Sequence, residues 1–276
     1  MSKKQTLVVI GNGMVGHNFL ENLVASEIGG DYDIVTFCEE QRAAYDRVHL
    51  TEFFSGKTAD DLSMVTDGFF EKNNIKIHLG DKAVSIDKAN KFVTSEKGVK
   101  ISYDKLVLAT GSYAFVPPVQ GHDRENCFVY RTIEDLEALT AAAKDANVGA
   151  VVGGGLLGLE AAKALKDLNL KTNVIQFSPR LMSAQLDKGG ADMLARKIEA
   201  LDIAVLPSKN TQKIVDGTAC KHKMLFADGT DLETDIILFS AGIRPRDEIA
   251  RKSGIEVGAR GGVVINDQCM TSDPDI

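Results

Sequence analysis

The chain has 276 residues, with 32 lysines and arginines against 39 aspartates and glutamates and a net charge of −7. This length can bury a sizeable core and suits two modest domains. The acidic balance argues against nucleic acid or an anionic membrane surface as a partner.

The apolar run after Lys4 stops at Gly11, too short for a signal-peptide core or a membrane span, so a cytoplasmic location is expected. That run, Leu7 through Ile10, reads as a strand. It gives way to Gly11-Asn12-Gly13-Met14-Val15-Gly16 and then to helical spacing at Val15, Phe19, Leu20 and Leu23. Three glycines on a strand-to-helix turn are the context a dinucleotide fingerprint requires. Gly11 permits the tight turn, Gly13 lets backbone approach a pyrophosphate, and Gly16 lets helix and strand pack closely. The amides at the helix start then face the phosphates.

Residues 33–38 read as a second strand ending in Glu39-Glu40. A carboxylate there suits a ribose hydroxyl, although the interval from Gly11 exceeds the usual ~20 residues. The polar loop 26–32 absorbs the excess, and either glutamate can be the ligand. In the following loop Arg47 is a candidate to neutralise a phosphate or a reduced flavin, with Asp46 equally able to pair with it at the surface. A helical patch at 67–72, a strand at 75–79 and short alternating segments at 83–104 follow, the last reading as an antiparallel meander. Residues 105–108 form a buried strand leading into Ala109-Thr110-Gly111. Pro117-Pro118 marks a crossing to a second domain.

Thr132 and Asp135 have the spacing of a helix N-cap and its capping box. The fingerprint then recurs as Gly153-Gly154-Gly155-Leu156-Leu157-Gly158-Leu159-Glu160, again between a β-branched strand and a helix. Two copies, one domain-length apart, imply two bound dinucleotides. The next strand, 171–175, ends in Gln176 rather than an acid. A helix at 186–201, a strand at 203–206 and a second meander across 213–239 precede the turn Ser240-Ala241-Gly242. The four cysteines, Cys38, Cys127, Cys220 and Cys269, are far apart, so no local redox dithiol, iron-sulfur or metal motif is expected.

Gly11-x-Gly13-x-x-Gly16, Glu39-Glu40, Tyr45-Asp46-Arg47, Ala109-Thr110-Gly111, Arg131-Thr132, Gly153-x-Gly155-x-x-Gly158-x-Glu160 and Ala241-Gly242-x-Arg244-Pro245 together resemble the FAD-dependent pyridine nucleotide-disulphide oxidoreductase superfamily, in its branch without a redox disulfide. Within that branch, the stretches 10–17, 45–50, 128–135 and 260–266 are similar to the amino-terminal part of NAD(P)H-dependent assimilatory nitrite reductase large subunits.

The resemblance implies an α/β fold of two Rossmann-like dinucleotide-binding domains, each a three-layer ββα unit with an antiparallel meander insertion. An FAD domain would span 1–117 plus 245–276 and an NAD(P)H domain 118–244. It implies that FAD lies on the first fingerprint, with Met14, Arg47, Val84, Ala109, Thr110, Gly111 and Arg131 at the flavin nucleotide. NADH or NADPH would lie on the second, with Leu156, Leu157, Gln176 and Gly242 beside it and Glu160 near nicotinamide and flavin. Hydride then passes between cofactors without a side-chain general base.

In that family, electrons continue singly to iron-sulfur centres and a sirohaem, none of it encoded here. The chain stops before the strand and acidic turn that complete the flavin site, so a fragment with an incomplete FAD domain is expected. The alternatives are a reductase for a small carrier such as rubredoxin or ferredoxin, and a noncatalytic nucleotide-binding fragment. Two positions depart from the wider pattern. Glu52 stands where related reductases often carry a lysine that pairs with the helix glutamate. Gln176 brings no charge to repel a 2′-phosphate, and Arg180 is close by in sequence, so weak discrimination between NADH and NADPH is expected.

Overall fold

A computed structural model describes residues 4–276, which form two compact units. The first comprises residues up to 47, 59–113 and 244–276; the second comprises 48–58 and 114–243.

The first unit contains β1 (Gln5–Ile10), α1 (Met14–Ala25), β2 (Tyr32–Phe37), α2 (Phe69–Lys72), β3 (Lys76–His78), β4 (Ala83–Asp87), β5 (Phe92–Ser95), β6 (Lys100–Ser102) and β7 (Lys105–Leu108). The chain leaves it through β8 (Ser112–Ala114). Strands β3-β2-β1-β7 form one parallel sheet in that order, with Ile10 opposite both Phe37 and Leu108. Successive side chains of a strand point to opposite faces, and β1 is apolar on both. Leu7 and Val9 pack with Leu20 and Leu23 of α1 and with Phe69, Phe70 and Ile75. Val8 and Ile10 pack with Ile86 and Val93 of the antiparallel meander β4-β5-β6. The helix and the meander are therefore the outer two of three layers, each held by one face of the same short strand in the middle sheet.

The second unit contains β9 (Cys127–Val129), α3 (Ile133–Ala143), β10 (Val148–Val152), α4 (Leu156–Asp167), β11 (Lys171–Ile175), α5 (Lys188–Glu199), β12 (Ile203–Leu206), β13 (Thr211–Asp216), β14 (His222–Phe226), β15 (Asp231–Thr234) and β16 (Ile236–Phe239). After β17 (Ile243–Pro245), α6 (Glu248–Lys252) belongs to the first unit again. The parallel order β12-β11-β10-β16 repeats the winding of β3-β2-β1-β7, with β9 added at the edge. Helix α4 lies on β10 and β11. Ala150, Ile175, Ile237 and Phe239 on the other face pack against Ile214, Met224 and Phe226 of the meander β13-β14-β15. The expected capping box is present: the Thr132 hydroxyl accepts the Asp135 N–H at 3.2 Å, and the Asp135 carboxylate accepts the Thr132 N–H at 2.8 Å.

Two expectations need correction. Residues 236–239 are not the end of a meander. They form a fully buried strand inside the parallel sheet, beside β10. Residues 48–58, placed by sequence in the first domain, cluster with the second unit, where a 3₁₀ turn at Leu50–Ser55 packs on α4. The physical reason is its apolar content. Leu50 is buried, and Phe54 stacks on Tyr130 at 6.3 Å between ring centroids.

Candidate functional site: two glycine cradles

In the first cradle Gly11 follows β1 with φ +110°, and a Cβ there would meet the Ala109 carbonyl oxygen at 2.1 Å. A Cβ on Gly16 would stand 2.0 Å from the Gly11 oxygen. Only glycine fits either place. Gly13 differs, since a Cβ there would meet nothing within 4 Å. It is the N-cap of α1, and the helix has no side-chain cap and no acidic residue in its first turn. Its first amides are thus left for an anion.

The second cradle repeats this geometry. Gly153 has φ +127°, and its Cβ would lie 2.2 Å from the Ser240 oxygen. A Cβ on Gly158 would lie 1.9 Å from the Gly153 oxygen, while at Gly155 it would meet open space. Gly155 caps α4, again without a side-chain cap or an acid in the first turn. Both first glycines donate to the end of the neighbouring strand, Gly11 to Phe37 O at 2.9 Å and Gly153 to Ile175 O at 2.8 Å. A cavity of about 660 Å³ opens above the second cradle, bounded by Gly153, Gly155, Leu156, Leu157, Gln176 and Gly242 among others. Its size falls in the range of small-molecule and cofactor sites. Leu156 and Leu157 are exposed there.

Around the first cradle the expected residues have defined partners. Ala109 N donates to Ile10 O at 2.8 Å, and Ala109 O faces Gly11. The Thr110 hydroxyl donates to Arg246 O at 2.7 Å, and Gly111 O accepts the Arg246 N–H. Glu40 receives the Tyr45 hydroxyl at 2.7 Å and an ion pair from Arg47, whose guanidinium also lies 4.6 Å from the Tyr45 ring centre. Glu39 receives Lys82 at 3.1 Å and Arg246 at 2.5 Å. Asn12 is buried, and its Oδ1 accepts the Ala44 N–H at 3.1 Å, tying the fingerprint turn to the Arg47 loop. Met14 opens α1, and Val84 sits on β4 at a bulge, 38% exposed. Arg131, expected at the flavin nucleotide, belongs to the second unit, where it stands just before α3 with its N–H donating to Asp135 at 3.0 Å.

Glu160 projects from α4 half-buried, with no ion pair among the described residues, and desolvation raises its pKa. Glu52 is paired with Lys57 instead. The Tyr130 hydroxyl donates to Thr51 Oγ1 at 3.3 Å. Burial, with the Glu160 charge adding to it, pushes its pKa up to about 12. Sequence reasoning missed Tyr130, Thr51 and Phe54, because no short-range pattern links residues this far apart along the chain. Gln176 is also placed differently from a free ribose ligand. Its Oε1 accepts the Gly154 N–H at 2.8 Å, and its Nε2 donates to Ser178 Oγ at 2.5 Å and Arg180 O at 3.2 Å.

The profile of the pyridine nucleotide-disulphide oxidoreductases matches residues 5–276. The chain belongs to that family. Membership carries with it the two cofactors expected from the paired fingerprints, FAD and a nicotinamide dinucleotide. The NADH nitrite reductase large subunit of Escherichia coli (strain K12) is 54% identical over 274 residues, which cover 99% of this chain and 32% of that one. The chain thus spans about a third of that relative. The rubredoxin-NAD(+) reductase of Ectopseudomonas oleovorans is 30% identical over 272 residues, covering 98% of this chain and 70% of that one. Among solved structures, an NAD-dependent persulfide reductase from A. fulgidus superposes with a TM-score of 0.90 at 26% identity, over 98% of this chain and 52% of that one. No helix among the described residues is long and apolar enough to cross a membrane.

Proposed function

We propose that this chain is the electron-input part of an NAD(P)H-dependent nitrite reductase, taking electrons from NADH or NADPH onto FAD and supplying iron-sulfur and sirohaem centres outside these 276 residues. The observation that carries the reading is the 54% identity to a nitrite reductase large subunit across both glycine cradles. The residues fit the two groups: in each cradle two glycines are walled in by backbone while the third, at the helix cap, faces open space. When bound, FAD accepts hydride from the nicotinamide and releases the electrons one at a time.

The chain's own residues bind and orient. The amides following Gly13 and Gly155 take the pyrophosphates, where the helix dipoles favour negative charge. Glu39 and Glu40 stand at the ribose position of the first cradle, each already held by a cation. Glu160 brings to the second site a half-buried carboxyl that has no ion pair among the described residues and whose pKa is raised by desolvation.

The test is the visible spectrum of the purified chain after incubation with FAD, followed by anaerobic NADH. Uptake of a flavin band and its bleaching by NADH are expected. A colourless protein that binds NADH without diaphorase activity refutes the reading and favours a noncatalytic nucleotide-binding fragment. Faster steady-state reduction of an added rubredoxin or ferredoxin than of a dye points instead to a carrier reductase.

A further inference from the structure

Phe177 is 74% exposed, immediately beyond β11, and lines the cavity above the second cradle. Its position is not that of a loose loop residue. On either side of it the backbone is fastened to the chain after β12: Gln176 N–H to Leu206 O at 2.9 Å, Lys209 N–H to Gln176 O at 2.9 Å, and Ser208 N–H to Ser178 O at 3.1 Å. The Gln176 carboxamide adds bonds to Gly154, Ser178 and Arg180. The backbone carrying Phe177 is therefore fixed, and its exposed ring shares the cavity with the exposed Leu156 and Leu157, apolar surface that a ligand would favourably cover.

The cavity around it is chemically mixed in a telling way. Lys209 is turned away to Asp228 and Thr230, at 2.6 and 2.7 Å. Met182 supplies apolar lining, and the Thr211 hydroxyl is buried there without a hydrogen-bond partner. A flat heteroaromatic group with polar edges suits this end better than a phosphate does. We infer that Phe177 is the stacking platform for the adenine ring of the nicotinamide dinucleotide, with Gln176 acting as the strut that positions it rather than as a ribose ligand. The inference rests on the nucleotide-binding reading of the second cradle.

Two partial ligands separate the halves of the coenzyme. ADP-ribose carries adenine without nicotinamide; reduced nicotinamide mononucleotide carries nicotinamide without adenine. In the full chain, Phe177→Ala is expected to raise the Kd of both NADH and ADP-ribose about tenfold, or about 1.4 kcal/mol. Flavin reduction by reduced nicotinamide mononucleotide should stay within about twofold of wild type. Because the chain contains no tryptophan, Phe177→Trp installs a single tryptophan, excited selectively at about 295 nm, whose emission ADP-ribose should quench while NADH affinity is retained. Unchanged ADP-ribose binding by Phe177→Ala overturns the inference, as does equal loss with both partial ligands. A change in molar mass by light scattering, with nucleotide binding intact, would assign the ring to contact between copies and also overturn it. If wild-type protein binds neither NADH nor ADP-ribose, the cradle reading itself falls, a result distinct from a wild type that binds and a variant that matches it.

Discussion

Replacing Gly155 with alanine separates ligand approach from folding. The residue has φ −86° and ψ −174°, extended backbone open to any L-residue, and the added Cβ meets nothing within 4 Å. The protein loses at most the preference for glycine over alanine at an N-cap, about 1 kcal/mol, or about 2–4 °C in Tm. If the second cradle holds a dinucleotide as proposed, its pyrophosphate comes against this backbone and the methyl group stands in its way. Loss of one charge-assisted hydrogen bond, roughly 1.5–3 kcal/mol, raises the Kd for NADH about 10- to 150-fold. NADH titration, with FAD content and thermal midpoint measured on the same sample, checks this. An NADH Kd within twofold of wild type would refute the argument, because the open space at Gly155 would then face no ligand.

Gly158→Ala should behave in the opposite sense. Its Cβ meets the Gly153 oxygen at 1.9 Å, so helix and strand must separate, and a drop in Tm from a loss of about 1–3 kcal/mol is expected in calorimetry, with or without nucleotide. Glu160→Gln should raise the thermal midpoint at neutral pH. A carboxyl whose folded pKa lies above its unfolded one destabilises the fold once ionised, so the gain should shrink as pH falls through the raised folded pKa and be gone below the ordinary carboxylate pKa. Steady-state kinetics should give comparable kcat/KM for NADH and NADPH. Gln176 brings no repelling charge, and among the described residues the only acceptor given to the Arg180 guanidinium is the Ser183 carbonyl at 3.3 Å. A preference for NADH above about a hundredfold, roughly 2.7 kcal/mol, would exclude this.

What was legible in the sequence was local. The need for glycine at positions 11 and 16, and at 153 and 158, follows from backbone sterics over six residues, and a Cβ at each would meet backbone oxygen at 1.9–2.2 Å. The alternation in 83–104 and the Thr132–Asp135 box are likewise short-range signals. What escaped depended on distant partners. Glu40 and Arg47 pair across a loop with no periodicity, and the Gln176 carboxamide reaches back to Gly154. The 50–55 turn finds its place through Tyr130, far along the chain. β9, three residues long, pairs only at a sheet edge and is too short to carry a pattern.

The unequal surroundings of the glycines in each cradle have a diagnostic consequence. Side chains at Gly11, Gly16, Gly153 or Gly158 would damage the fold itself, so a descendant that had abandoned one nucleotide would have to keep them. Gly13 and Gly155 alone can be filled at little structural expense. A related chain with a bulky residue at one of these two places, and glycine at the other five, would be a folded protein with that single compartment shut.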